Sequence, residues 1–140
     1  MVKEFIDKWN KYKGDLENYF RNTKQEEYED YETIVKKVVE LIINRDYEYK
    51  IYDLKKITVI DDGDYQGTVI YIFHRKTYQP DVTDYIYTSV GYGSCSGCDT
   101  LQAIQMYHTE KLPNKEQVKD YMTLCLHLIQ NFRKMEDTYE

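Results

Sequence analysis

Val2, Phe5, Ile6, Trp9, Tyr12, Leu16, Tyr19 and Phe20 recur every three or four residues, which predicts an amphipathic helix at the start of the chain. Gly14 costs that helix about 1 kcal/mol relative to Ala and gives it a point at which to kink or break. After a polar stretch from Arg21 to Glu27, a second helix is expected from about Glu26 to Asn44. Its stripe of Tyr31, Ile34, Val35, Val38, Leu41 and Ile42 is widened by Val39, as in a well-buried helix. Beyond Asn44 the period shortens to two. Tyr47, Tyr49, Ile51 and Leu54 hint at a strand, and Ile57–Ile60, Thr68–Phe73 and Asp84–Val90 are stronger, β-branched runs. The Asp61–Gly67 turn joins the first two of these as a hairpin with a loop longer than two residues. Cys98–Tyr107 reads as a short helix with Leu101 and Ile104 inward. The last helix opens on Asn114 after Pro113, with Gln117 placed for a capping box, and its stripe is Val118, Tyr121, Met122, Cys125, Leu128, Ile129 and Phe132. The expected architecture is α+β, in one domain over residues 1–140. An antiparallel sheet of three to four strands, at about residues 47–90, is flanked by two N-terminal and two C-terminal helices on one of its faces.

The chain has 140 residues, 41% hydrophobic and 31% charged, a balance that can bury a core without metal or disulfide staples. Tyrosine is over-represented, with 16 copies against 4 Phe and 1 Trp, and suits interfaces because it joins apolar area to a polar tip. The net charge of −6 argues against general nucleic-acid binding, which needs a basic footprint, and leaves room for docking on a basic partner or for a small basic pocket. No apolar run reaches the roughly 18 residues of a membrane span. The N-terminus has no apolar signal region, and three cysteines without an export signal point to free thiols in a reducing cytoplasm.

Gly91–Gln102 is the most informative stretch. Five of the six glycines fall between Gly63 and Gly97, and Asp99 is the only formal charge between Tyr85 and Thr109. Gly91, Tyr92, Gly93, Ser94, Cys95, Ser96, Gly97, Cys98, Asp99 and Gln102 together offer small side chains, backbone N–H groups and a helix start, the components of an anion site. The glycine spacing is neither that of a P-loop nor that of a dinucleotide fold. The competing reading is a tight connection packed against the sheet. Cys95 and Cys98 have the spacing of half a zinc site, but no second Cys-x-x-Cys exists, so no metal and no cofactor is expected. A thiol–disulfide couple is the other chemical reading, and two small loop-lining residues the plain one.

Three further clusters have a functional and a plain reading. Asp61, Asp62 and Asp64 around Gly63 suggest a cation loop, yet the flanks are strands and the twelfth position from Asp62 is Phe73, so hairpin-turn chemistry is the expectation. His74-Arg75-Lys76 could meet a phosphate held by the glycine loop, or mark a solvated strand end. Glu26, Glu27, Tyr28, Glu29, Asp30 and Tyr31 open the second helix, either as an acidic, aromatic docking surface or as complements to the helix dipole.

Asp64-Tyr65-Gln66-Gly67-Thr68, Thr77-Tyr78-Gln79-Pro80, Asp84-Tyr85 and the run Tyr92-Gly93-Ser94-Cys95-Ser96-Gly97-Cys98-Asp99-Thr100-Leu101-Gln102 carry a resemblance. Together they resemble a family of small phage and prophage proteins of low-GC Gram-positive hosts, usually left without a function. The resemblance spans roughly Asp61 to Ile104. It implies a phage-related origin in the bacterial host cytoplasm, and no activity or catalytic residue. No hydrolase elbow, HExxH or kinase motif is present. The leading expectation is a non-enzymatic accessory protein that binds a host or defence protein or a small anionic ligand. The alternatives are a small enzyme or metal/thiol protein built on Gly91–Gln102, and a structural phage component.

Overall fold

The computed structural model describes residues 1–25, 31–64, 66–93, 99–105 and 111–139. Its order is α1 (Lys3–Asn22), α2 (Tyr31–Val38), β1 (Thr58–Asp61), β2 (Gly67–His74), β3 (Tyr85–Tyr92), α3 (Thr100–Gln105), α4 (Lys115–Asn131) and β4 (Arg133–Lys134). The strands form one antiparallel sheet in the order β1-β2-β3-β4. The architecture is α+β with helices at both ends of the chain, as the hydrophobic pattern implies.

Alternation fixes which sheet face is covered. Val69, Tyr71 and Phe73 of β2 and Ile86 and Thr88 of β3 are buried and face the helices. α4 lies on them: the Thr88 hydroxyl donates to the Leu128 carbonyl (3.2 Å), and the Phe73 and Phe132 rings sit 6.2 Å apart. α1 packs on α4 through Phe20 and Tyr121, stacked at 4.8 Å and nearly parallel. Each such fully buried aromatic contributes about 1.5–3 kcal/mol of burial. Thr58, Ile60, Ile70, Ile72, Tyr85 and Tyr87 point to the opposite face, where Tyr87 meets Thr138 of the C-terminal 3₁₀ turn (3.1 Å).

Three local outcomes depart from the pattern. α1 runs unbroken through Gly14, where a Cβ would meet open space, so glycine there weakens the helix without kinking it. α2 ends in a π-turn, Val39–Ile43, closed by Asn44 N–H on the Val39 carbonyl (2.8 Å). The wider turn carries Val39, Ile42 and Ile43 into the core together. The fourth strand is β4 rather than the 47–54 segment. That segment makes one bridge, Tyr52 to Arg75, because the Asn44 side-chain amide takes the place of a neighbouring strand. It accepts from Tyr52 N–H (2.8 Å) and donates to the Tyr52 carbonyl (3.1 Å).

Candidate functional site

Gly91 and Tyr92 are the last residues of β3, paired with Thr68 and Gly67, so the glycine-rich connection starts two residues later than its composition suggests. Asp99 is the N-cap of α3: its Oδ1 accepts from Gln102 N–H at 3.0 Å. Its Oδ2 accepts from Gly93 N–H at 2.9 Å, and the Tyr31 hydroxyl donates to Oδ1 at 2.9 Å. Tyr31 Oη in turn accepts Leu101 N–H (3.1 Å), and the Gln102 side chain donates to the Gly93 carbonyl (2.9 Å). Burial, with the Asp99 carboxylate beside it, holds the Tyr31 phenol well above its ordinary pKa.

This junction joins the two regions that the sequence singles out, since Tyr31 opens α2 and Asp99 opens α3. It also changes what each can do. The N–H groups of Gly93 and Gln102, two of the donors an anion in the loop could use, are taken by the chain's own carboxylate. Tyr31 is 5% exposed, so the expectation that it belongs to a docking surface is corrected: its ring is in the core and its hydroxyl is bound to Asp99. Ser94, Cys95, Ser96, Gly97 and Cys98 lie outside the described residues, as do Glu26, Glu27, Tyr28, Glu29 and Asp30.

The Asp61–Asp64 turn is built by hairpin chemistry. Asp61 accepts from Gly63 N–H (3.0 Å) and Asp62 from Thr68 N–H (2.7 Å). A Cβ on Gly63 would stand 2.0 Å from the Gln66 carbonyl oxygen, so only glycine fits. The Tyr92 hydroxyl donates to the Asp61 carboxylate, which pushes its pKa up to about 12, and lies 2.8 Å from the Gly63 carbonyl. Among the described residues, no three His, Cys, Asp or Glu side chains gather as metal ligands. Cys125 is fully buried, and burial pushes its thiol up and away from reactivity.

The His74-Arg75-Lys76 cluster does not meet the described start of the glycine loop at Gly91 and Tyr92. The register places His74 at the opposite end of β2 from Gly67, about 23 Å away at 3.3 Å per residue. Arg75 instead lies over the rings of Tyr47 and Tyr52, at 4.9 and 4.8 Å, and donates to the Lys50 carbonyl (3.1 Å). Lys8 approaches Tyr47 as well (3.4 Å) and donates to the Ile43 carbonyl (2.8 Å). Burial lowers the Lys8 pKa, and Glu4 opposes that shift. The ammonium is buried but partnered, and it ties α1 to the 43–52 connection.

An open concavity lies between α1 and α4, a groove of about 840 Å³. Trp9, Lys13, Glu17 and Arg21 line one wall at intervals of four, one face of α1. Lys115, Val118, Lys119, Met122 and Leu126 line the other, with Pro113 at its end. The floor is apolar, from Trp9, Val118, Met122 and Leu126, and the rim carries Lys13, Arg21, Lys115 and Lys119 against Glu17 and Glu116. Arg21 pairs with Glu17 (2.6 Å), whereas Lys13, Lys115 and Lys119 pair with no carboxylate among the described residues. A basic rim on a chain of net charge −6 is a local reversal of sign. Sequence reasoning missed this site. The spacing of Trp9, Lys13, Glu17 and Arg21 was its visible trace.

The chain matches no protein-family model, no curated protein and no solved structure. Among the described residues, no helix is long and apolar enough to cross a membrane.

Proposed function

We propose that the chain is a non-enzymatic binding protein that holds an acidic, amphipathic helix of a partner protein in the α1–α4 groove. The observation that carries this reading is the groove itself: an apolar floor under three lysines that no described carboxylate neutralises. A helix laid in such a groove buries its apolar stripe on Trp9, Met122 and Leu126 and sets its acidic flanks against Lys13, Lys115 and Lys119. A protein partner is favoured over a small anion because, of the loop donors described, the Gly93 and Gln102 N–H groups are already bound by Asp99. The setting we infer is the cytoplasm of a bacterial host, with a host or defence protein as partner. The resemblance of roughly residues 61–104 to small phage proteins supports it.

Trp9 is the only tryptophan in the chain, so its emission reports on the groove. A synthetic amphipathic helix with a Leu stripe and Glu flanks should shift that emission saturably, and Met122→Glu or Lys119→Glu should abolish the shift. An unchanged emission with this peptide, or an equal response to its Lys-flanked counterpart, overturns the reading.

A further inference from the structure

We infer that the chain forms a two-fold dimer by antiparallel pairing of β1 with β1 of a second copy, which joins two four-stranded sheets into one of eight strands. β1 is the edge of the sheet, and all four of its residues are exposed. Val59 and Ile60 are 45% and 48% exposed, unusual for a β-branched edge.

The ladder fixes which backbone groups face out. Asp62 N–H donates to the Thr68 carbonyl in the register that pairs Ile60 with Ile70 and Thr58 with Ile72. Antiparallel bonds alternate along a strand, so Val59 and Asp61 turn their N–H and C=O groups to the free edge.

The flanking charges select the occupant. Lys55 and Lys56 precede the strand, Asp61 ends it, and Asp62 and Asp64 follow it. Like charges at both ends of an edge strand would repel a second copy. Opposite charges repel a parallel copy and attract an antiparallel one, because a two-fold at Ile60 pairs Val59 with Asp61 and sets Lys56 of each chain beside Asp64 of the other. The same two-fold brings the two Ile60 side chains together on the sheet face turned away from the helices, where they extend the apolar row of Ile70 and Ile72. A strand whose sequence is complementary to its own reverse fits a second copy of this chain better than an unrelated peptide.

Sedimentation equilibrium up to about 1 mM chain tests this. A monomer–dimer equilibrium that weakens with added salt is expected. Val59→Pro removes an outward N–H that β2 does not use, and should yield monomer with an unchanged circular-dichroism spectrum. Lys56→Glu and Asp64→Lys should each weaken the dimer about tenfold, and an equimolar mixture of the two variants should recover most of that loss as a heterodimer. A chain that stays monomeric throughout overturns the proposal. So does a dimer that is indifferent both to Val59→Pro and to the charge exchange.

Discussion

The Asp99 carboxylate accepts from Tyr31, Gly93 and Gln102, whereas the ammonium groups of Lys13, Lys115 and Lys119 at the α1–α4 groove meet no carboxylate among the described residues. Both regions combine polar groups with a concave or loop-rich setting, and both look equally functional as lists of residue types. The difference lies in where the polar capacity is spent. At the junction, donors and acceptors are consumed inside the chain and the product is rigidity. At the groove they remain available, beside Met122 and Leu126, which are only partly covered, and the product is a surface that can still gain free energy by binding.

The comparison breaks most sharply at Asp99. Asp99→Ala strips partners from a buried hydroxyl and two N–H groups, and should lower stability by about 3 kcal/mol in urea unfolding, with any peptide response of Trp9 unchanged. Tyr31→Phe removes one hydroxyl that both donates and accepts, and should cost about 1–2 kcal/mol in the same measurement. A cost near zero for both would mean that the junction is not what holds α2 and α3 together. Gly14→Ala, whose new Cβ meets open space on α1, should instead stabilise the chain by about 1 kcal/mol. Smallest on stability, and largest on binding, is Lys119→Glu: its midpoint should move by less than about 0.5 kcal/mol while the acidic peptide is lost. If Lys119→Glu unfolds the chain, the groove is a structural seam and the contrast with Asp99 fails.

Much of the fold is legible in the sequence because its elements are long and periodic. The strands expected at Ile57–Ile60, Thr68–Phe73 and Asp84–Val90 appear as Thr58–Asp61, Gly67–His74 and Tyr85–Tyr92, and the Asn114–Gln117 capping box closes as its spacing implies. β4 has two residues, too few to show a period, and owes its pairing with Ile86 and Tyr87 to the chain leaving α4 at Phe132. Asp99 stands out in the sequence as a lone charge in a charge-poor stretch. The structure makes it a buried cap with Tyr31, on the stripe of α2, as its partner, and only packing brings residues 68 positions apart together. The groove is harder still. The α1 and α4 stripes are each visible, yet that they face one another follows from Phe20 stacking on Tyr121.

The closure of Gly93 onto Asp99 and Gln102 also bears on how this chain can be engineered. Gly93 is tied to Asp99 and Gln102 through its own N–H and carbonyl, so these bonds fix the spacing between the end of β3 and the start of α3. Each doubling of the tether between those two points costs only about 0.6 kcal/mol of closure entropy. A peptide inserted between Gly93 and Asp99 therefore starts from two ends already held together, and urea unfolding of such a variant reads how much that clasp resists a longer tether.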